Sequence, residues 1–512
     1  MQNSSKHAES QLLTISGEDL SGGMNNSSPS VLSKEGQEKQ CVLLENLFFS
    51  YNSGKIRTRW PFRRYSSNIL SGSPVDGLTV YDGEFVFSSG GKLFYLDTTK
   101  NAHLIGSIGT SPPSFTSFNG KLLIASGSVA QTLSTARVLA NLSGTAIPTT
   151  TKQFLEERAY LWAVGTTTYP DMINRCIVNN ETTWSGADTE YVEVGYKDDD
   201  LVATGMMNGP NNNIIVWKRG NSKKATWFFQ PSATSPIARL VSTIYSARTW
   251  RGACWAANKL WFMDDFSPLA IAGTDSVDQL VIDPASIEIG SRIVSKWAPT
   301  DNSFCVVYPP DAQIWFFNPP SKDIYVLNYL TYAWVRFRPA GSLRFYSAYY
   351  HPTDKKLYLG GNDGYVYVYE NDGSGNFMDN PGGVDTDYSQ KIATKIYNLY
   401  PKYLHEIKEP LINYLGLKAG TGAFRIYKNW GATEALNETL TVSLSYVRAY
   451  TYQNTLSYDL RSTKAWASQM QSSLKDLNVE ADNFQIWLEI NSGAIEFHDL
   501  SFIVSKTNKL TG

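Results

Sequence analysis

The chain has 512 residues, of which 42% are hydrophobic, 13% aromatic and 18% charged, with 30 Tyr, 23 Phe and 38 Gly among them. Aromatic side chains fit pleated, half-buried surfaces, so this composition favours short strands joined by turns over a helical or disordered chain. The 45 Lys and Arg against 47 Asp and Glu leave a formal net charge of −2. Tight, sequence-tolerant binding of nucleic acid needs many phosphate-neutralising cations, so this balance excludes that class of protein.

Residues 1–40 are polar and lack hydrophobic periodicity, which predicts an extended N-terminal arm. Over residues 41–390 the pattern becomes strand, turn, strand, with Asp-Gly, Asn-Gly and Gly-Gly turns between short alternating runs. Units of this kind recur roughly every 36 to 52 residues, close to the period of β-propeller blades. Seven units begin at Asp76, Pro112, Thr151, Asp200, Arg248, Thr300 and Leu343. Because an early strand often closes such a ring with a late one, we predict a degenerate β-propeller of six or seven blades.

The texture changes again after about residue 390. Segments such as FRIYKNW, DNFQIWLEINSG and IEFHDLSFIVSK alternate in polarity without the blade unit. We therefore predict a separate C-terminal β-sandwich over residues 391–512, and an all-β fold for the whole chain.

The four cysteines, at Cys41, Cys176, Cys254 and Cys305, are widely separated. None forms the short-spaced pair typical of a zinc site or a redox motif, so buried thiols in a reducing compartment are predicted. No basic segment followed by an apolar core opens the chain, and no window approaches about 18 uninterrupted apolar residues. We expect synthesis in the cytoplasm and no membrane-spanning segment.

Residues 15–62 contain a Gly-Gly turn followed by Asn (Gly22, Gly23, Asn25), then an aromatic strand and a strand with cations at every second position. This passage resembles the opening of structural proteins in phage tails, where a "dfsGGlN" phrase is followed by a "G-x-i/l-r-x-R-x-G" strand. Residues 181–220 and 357–380 resemble the Trp-bearing segment and the final "Y-x-G-x-x-D-G-x-V-Y" blade of the same family. Pro61 departs from the pattern, since the family prefers Gly there.

The resemblance implies a β-propeller tail-tube, hub or nozzle protein of short-tailed bacteriophages. Such a virion protein forms a ring, commonly a hexamer, below the portal-adaptor ring and near tail fibre or spike proteins. It retains packaged DNA and gives the double-stranded genome a channel during ejection. The expected location of this chain is then the virion tail, after synthesis in the host cytoplasm.

Two groups of charged residues are candidate contacts. The cations could meet DNA phosphates or an acidic adaptor surface, or could simply form a solvated face paired with carboxylates of a neighbouring blade; they are Lys55, Arg57, Arg59, Arg63 and Arg64. The acids could lie near a channel, where negative charge would keep DNA from sticking, or in a solvated turn; they are Asp198, Asp199 and Asp200.

Neither catalytic nor cofactor residues are predicted. The five histidines lack metal-pair spacing, and the sequence contains no Gly-x-Ser-x-Gly elbow or phosphate loop. The loop from Asp372 through Ser374 and Asn376 to Asp379 alternates oxygen ligands but lacks the acidic anchor of a calcium loop, which favours a plain turn. Asp264 and Asp265 are the best candidates for a glycosidase pair.

Two rival functions remain open. The many Trp and Tyr would suit a glycan-binding, receptor-recognising propeller of the tail, because aromatic faces stack on sugar rings. A polysaccharide-degrading propeller enzyme is the less favoured alternative.

Overall fold

A computed structural model of the chain describes residues 12–18, 20, 24, 31–32, 41–50, 55–68, 72–186, 191–195, 200–231, 237–265, 268–272, 282–284, 299–319, 321–370, 373–398, 403–428, 433–442, 469–470, 479–481 and 483–509. Regular structure in these ranges consists of β-strands and short 3₁₀ turns. No helix in the described part of the chain is long and apolar enough to cross a membrane.

Six strands precede the first repeated unit and are distributed between two domains: β1 (Leu12–Glu18), β2 (Val31–Leu32), β3 (Cys41–Glu45), β4 (Leu47–Phe49), β5 (Ile56–Thr58) and β6 (Phe62–Arg64).

The first four repeated units each fold into a four-stranded antiparallel sheet, in which consecutive strands are neighbours. Their strands are β7 (Val75–Tyr81), β8 (Glu84–Ser89), β9 (Lys92–Leu96) and β10 (Ala102–Ser107); β11 (Ser114–Phe118), β12 (Lys121–Ala125), β13 (Gln131–Leu133) and β14 (Leu139–Asn141); β15 (Gln153–Glu157), β16 (Tyr160–Val164), β17 (Met172–Arg175) and β18 (Tyr191–Glu193); β19 (Val202–Asn208), β20 (Ile214–Arg219), β21 (Lys224–Gln230) and β22 (Ile237–Ser242).

The last three units follow the same plan, but the seventh takes its fourth strand from the N-terminal part of the chain. There β6 pairs antiparallel with β33, so that Phe62 lies opposite Tyr369. The strands are β23 (Ala253–Ala256), β24 (Lys259–Met263), β25 (Pro268–Ala272) and β26 (Ile282–Pro284); β27 (Phe304–Tyr308), β28 (Gln313–Phe317), β29 (Ile324–Asn328) and β30 (Trp334–Phe337); β31 (Phe345–His351), β32 (Lys356–Gly361) and β33 (Val366–Tyr369).

The inner strands of these sheets form a closed ring. Strand β7 contacts β11, β11 contacts β15, and β15 contacts β19. Strand β19 contacts the 3₁₀ turn Trp250–Gly252, which leads into β23. The ring continues through β23, β27 and β31, and β31 contacts β7. The described residues therefore form a seven-bladed β-propeller, which confirms the predicted fold class and decides between six and seven blades.

Local sequence accounts for the turns and for the interior of the blades. Asp82 and Gly83 have φ values of 50° and 77°, and Asn119 and Gly120 have φ values of 50° and 70°. These left-handed pairs suit Asp-Gly and Asn-Gly, and they match the right-handed twist of the hairpin strands.

The second strand of four successive blades also buries a tryptophan almost completely between neighbouring sheets: Trp162, Trp217, Trp261 and Trp315.

The C-terminal strands build a two-sheet sandwich: β34 (Gln390–Thr394), β35 (Ile396–Tyr397), β36 (Tyr403–Lys418), β37 (Gly420–Lys428), β38 (Thr433–Val442), β39 (Gln469–Met470), β40 (Val479–Ala481), β41 (Phe484–Ile490) and β42 (Ala494–Lys509). One sheet contains β36, β39, β40 and β42, and the other contains β34, β35, β37, β38 and β41. The ring of Phe502 meets Tyr397 and Phe484 at 5.1 and 5.6 Å between centroids, which joins the two sheets.

Two of the predicted domain boundaries need correction. Residues 1–40 were predicted to form an extended arm, yet β1 pairs with β42 and β2 pairs with β35. The propeller was expected to begin at residue 41, but β3, β4 and β5 belong to the sandwich sheets. Pairing across more than 300 residues decides these assignments, and such distant pairing leaves no local signal.

The sandwich is continuous with the propeller. Strand β3 joins blade six to the sandwich, because it pairs with β30 on one side and with β34 on the other. Glu45 in β3 is buried and forms an ion pair with Arg336 in β30. One hydrophobic core runs from blades six and seven into both sandwich sheets.

The cysteines only partly follow the prediction. All four are free thiols, but only Cys41 and Cys176 are buried, whereas Cys254 and Cys305 are half-buried.

Replacing the closing aromatic residue should weaken the propeller strongly. Phe62 is fully buried, and its ring lies 4.8 Å from Phe345 and 5.7 Å from Tyr369. We expect Phe62→Ala to lower the free energy of unfolding by about 3–5 kcal/mol, measured by denaturant titration. Ile244→Ala, at a side chain that is 64% exposed, should change it by less than about 0.5 kcal/mol. Equal effects of the two substitutions would contradict closure of the ring through β6.

Candidate functional site

The predicted cationic strand does not present a single charged face. Lys55 and Arg57 are half-buried, but Arg59, two residues further on, is fully buried. The Arg57 guanidinium lies 4.2 Å from the centre of the Trp60 ring. Burial lowers the pKa of Arg57, and the charge of Glu496 opposes that effect. Arg57 is therefore partly committed to contacts inside the protein.

Arg59 lies at the centre of a buried polar joint. Its guanidinium donates to both carboxylate oxygens of Asp379, at 2.8 Å from Nη1 and 2.6 Å from Nη2, and both side chains are completely enclosed. Its Nε donates to Asn46 Oδ1 at 2.9 Å. The rings of Phe62 and Tyr388 cover the guanidinium at 4.2 and 3.7 Å. The prediction that Arg59 contacts DNA or an adaptor is therefore wrong for the folded chain, because no partner can reach it.

Asp379 ties three segments of the chain together at this joint. Besides Arg59, it accepts hydrogen bonds from the backbone N–H of Phe62 and of Ala340, each at 2.8 Å. Burial acts to lower the pKa of Arg59, but the charge and hydrogen bonds of Asp379, together with Tyr388 and Tyr369, raise the pKa above its usual value. A buried ion pair needs such complete hydrogen bonding, because the desolvation of both charges is costly.

In the loop that was considered for calcium binding, candidate ligands are already hydrogen-bonded within the protein. Asp379 is fully used by the joint, and Asn376 donates through its side chain to Asp385 at 2.9 Å. Asp372 lies outside the described residues. No group of three or more potential metal ligands occurs in the part of the chain that the structure describes.

Of the last two predicted cations, Arg63 is half-buried and Arg64 is exposed. Arg63 pairs with Asp385 at 2.9 Å, and Arg64 is exposed and donates weakly to the Gly382 carbonyl at 3.4 Å. Arg64 therefore stays a predicted partner contact, whereas Arg63 is already paired within the chain.

Of the predicted acidic cluster, Asp200 is exposed in a left-handed turn with φ of 58°. Asp198 and Asp199 lie outside the described residues, as do Gly22, Gly23 and Asn25 of the N-terminal phrase.

Asp264 and Asp265 lie directly after β24, within a cluster of cations. Lys224 donates to both oxygens of Asp264 at 2.7 and 2.8 Å, and Arg219 pairs with Asp265. Hydrogen bonds and charge from Arg219 and Lys224 hold the pKa of Asp265 below its usual value, although burial acts to raise it. A glycosidase acid needs a raised pKa, so these contacts suit a structural ion cluster.

Sequence reasoning missed the axis of the propeller, where two cavities meet. One, of about 360 Å³, is lined by residues that precede or belong to inner strands, including Lys152 and Thr249. The other, of about 280 Å³, is lined by inner-strand residues that include Asp76. Trp250 and Arg251 line both cavities. The local sequence signal for this site is weak, because it consists of one cation, Arg251, just before the inner strand β23.

Arg251 is a buried cation that lines both cavities. The larger cavity is also lined by the charged residues Lys152, Arg248 and Asp301. Burial lowers its pKa to about 10, and the more distant charge of Asp76 opposes that effect. Burial raises the pKa of Asp76, while a hydrogen bond from the Ser88 hydroxyl acts against it. The cavity therefore holds an arginine and a carboxyl group in a poorly solvated space.

Comparison with known proteins yields only a likeness of fold. No family model and no curated protein matches the chain. The chain is similar to a streptogramin B lyase, with 12% identity, a TM-score of 0.43 and coverage of 61% of this chain and 98% of that one. It is also similar to YCF48 from Cyanidioschyzon merolae, with 9% identity, a TM-score of 0.44 and coverage of 61% and 99%. At such identities the likeness concerns the fold alone.

Two neighbouring arginines offer a matched test of the joint. Arg59→Gln leaves the Asp379 carboxylate buried without its cation, and we expect a loss of about 3–5 kcal/mol in the free energy of unfolding. Arg63→Gln removes a surface pair with Asp385 and should cost about 0–1 kcal/mol. Denaturant titration of both variants measures the difference. If Arg59→Gln were as mild as Arg63→Gln, the joint would not stabilise the fold.

Asp311, close enough for its charge to act on Arg57, should make stability depend on pH. Burial raises its pKa from 3.8 to about 6, against the attraction of Arg57. Between these values the folded state binds the proton more tightly than the unfolded state, so this carboxyl group lowers stability as pH rises from about 4 to 6. Asp311→Asn should therefore gain stability relative to the wild type across that window, measured by denaturation from pH 4 to pH 7.

A control variant isolates the titration. Val384→Ala removes no titratable group from its 67% exposed position, so its difference from the wild type should stay constant with pH. A constant difference for Asp311→Asn as well would overturn the assignment.

Proposed function

We propose that this chain is a structural, non-catalytic subunit of a short-tailed phage tail, namely a nozzle or tail-tube protein of the virion. In this role it forms a homo-oligomeric ring, a hexamer by the family resemblance, below the portal-adaptor ring. The ring retains packaged DNA and provides the channel for ejection. Tail fibre or spike proteins are the further expected neighbours.

The observation that carries the proposal is the structural role of the residues that resemble the phage tail phrase. The "r-x-R" strand of the tail phrase includes Arg59, whose buried pair with Asp379 joins the propeller to the sandwich strands. A tail subunit must transmit force between neighbours without coming apart, and a buried joint between its two domains suits that task. Because the residues of this motif hold the fold together, the motif supports a structural function for the protein.

A second part of the resemblance is also architectural. In the phrase from Tyr358 to Tyr367, Gly364 has a φ of +86°, which favours glycine. A Cβ on Gly360 would lie 2.4 Å from the Val75 carbonyl oxygen, so only glycine fits where blade seven meets blade one. This phrase therefore serves the closure of the propeller.

The contacts of the candidate acids favour a non-catalytic role. Asp264 and Asp265 are held by Lys224 and Arg219 rather than facing a cleft as a free acid and base. This arrangement supports the nozzle over a polysaccharide-degrading enzyme.

The dimensions of the propeller axis bear on the path of the genome. Cavities of about 280 and 360 Å³ are of small-molecule size, whereas the major groove of B-DNA alone is about 12 Å wide. The genome would therefore pass through the lumen of the oligomeric ring, between subunits, and not along the axis of one propeller.

Electron microscopy of virions tests the assignment directly. A tag on this chain should label the tail immediately below the portal-adaptor, and the purified protein should form rings when mixed with portal-adaptor complexes. A label at the fibre tips, or a monomer or trimer that binds cell-surface glycan and ignores the adaptor, would instead favour the receptor-binding alternative.

The exposed cation of the closing strand allows a sharper test. If Arg64 contacts an acidic adaptor surface, Arg64→Glu should weaken ring attachment at least about tenfold, because a like charge replaces an opposite one. Lys223→Glu makes the same change of net charge at an exposed position on blade four and should leave attachment unchanged. Equal attachment by both variants in a sedimentation assay would remove Arg64 from the predicted interface.

A further inference from the structure

The axial cavity of the propeller contains a buried arginine that forms no ion pair within the part of the chain that the structure describes. Arg251 is only 9% exposed, and its side chain lines both axial cavities. Its guanidinium donates to the backbone carbonyl of Tyr346 and lies 5.1 Å from the centre of the Phe304 ring. Among the described residues, no carboxylate lies within ion-pairing distance of it. A guanidinium has five N–H donors, so most of its hydrogen-bonding capacity is unused by the protein.

Comparison with Arg59 shows that Arg251 lacks a counter-charge among the described residues. Both arginines are buried, but Arg59 faces a bidentate carboxylate and a side-chain amide oxygen. A buried charge without a counter-charge is costly, and proteins normally pair it. The counter-charge of Arg251 is therefore expected from outside the chain.

Asp76 does not fill this role. Its carboxylate accepts a hydrogen bond from the Ser88 hydroxyl and acts on Arg251 only through longer-range attraction. It lies instead on the wall of the smaller cavity, where it can accept hydrogen bonds from a ligand's hydroxyl or amine groups.

The rest of the wall is suited to a polar ligand. The larger cavity is bordered by the exposed cation Lys152 and by hydroxyl groups of Thr110, Ser111 and Thr249. The indole of Trp250 borders both cavities and offers a flat apolar surface. Volumes of about 360 and 280 Å³ correspond to the lower end of small-molecule sites.

We propose that the propeller axis is a binding site for a small organic anion, whose carboxylate or phosphate group pairs with Arg251. Arginine presents its donors as a planar fork that matches either group with two parallel hydrogen bonds. The neutral part of the ligand, of monosaccharide size, lies against Trp250 and the threonine hydroxyls. This site does not depend on the proposed role in a tail, and it would serve an isolated propeller equally well.

Calorimetric titration of the intact protein at constant ionic strength tests the site. The probes are inorganic phosphate, glucose 6-phosphate, glucuronate and N-acetylneuraminate, with glucose as the uncharged control. We expect at least one anion to bind with a stoichiometry of one, and glucose to bind at least about tenfold more weakly. Binding of phosphate and glucose 6-phosphate alone would identify a phosphate ligand, and binding of the two sugar acids alone would identify a carboxylate ligand.

Two variants locate the binding on the axis. Arg251→Gln keeps a polar side chain of similar length and should weaken the anion at least about tenfold, as the loss of a charge-assisted pair predicts. Lys152→Glu reverses an exposed charge at the rim and should weaken it several-fold without touching the core. Lys223→Glu makes the same change of net charge on blade four, outside the cavity, and should leave the affinity unchanged.

Several outcomes would overturn the proposal. They are the absence of binding by every anion, equal binding of glucose, or an affinity that Arg251→Gln leaves intact. If Arg251→Gln does not fold, the comparison of Lys152→Glu with Lys223→Glu decides, because both positions are exposed. An equal effect of these two reversals would mean that the anion responds to net charge alone and that the axial site is not its binding site.

Discussion

The buried pair between Arg59 and Asp379 is the constraint on which the arrangement of the two domains depends. The carboxylate of Asp379, which follows blade seven, accepts hydrogen bonds from the Arg59 guanidinium, from the backbone N–H of Phe62 at the start of β6 and from that of Ala340 after blade six. Removing two charges from water is costly, so such a pair persists only where every oxygen and nitrogen is satisfied. That requirement holds three distant parts of the chain in one geometry.

From this joint the closure of the propeller and its attachment to the sandwich follow together. Strand β6 leaves the joint and completes blade seven, whereas β3, β4 and β5 enter the sandwich sheets before it. Blade six continues into the sandwich through β3, and one apolar core crosses the boundary. The two domains therefore share a strand and a hydrophobic core.

Charge is used in two different ways at the two centres of the molecule. At the joint, Arg59 is saturated by the protein's own groups and has a structural role. At the propeller axis, Arg251 is also buried, at 9% exposure, but it uses few of its donors on the protein. The first arrangement stabilises the fold, whereas the second is the basis for the anion site that we propose.

The sequence by itself determined the all-β class, the seven repeated units and the turns, because alternation and left-handed Asp-Gly or Asn-Gly pairs are local properties. The boundary predicted at residue 391 lies next to Gln390, where β34, the first of the C-terminal sandwich strands, begins. Only the tertiary structure decided the blade number, the place of β1 to β5 and the burial of Arg59. Alternation shows that a strand has a buried face but not which distant strand covers it, and a cation at period two looks the same whether it faces water or Asp379. Arg251 escaped notice for the same reason, since the closure of the ring alone creates the axis on which it lies.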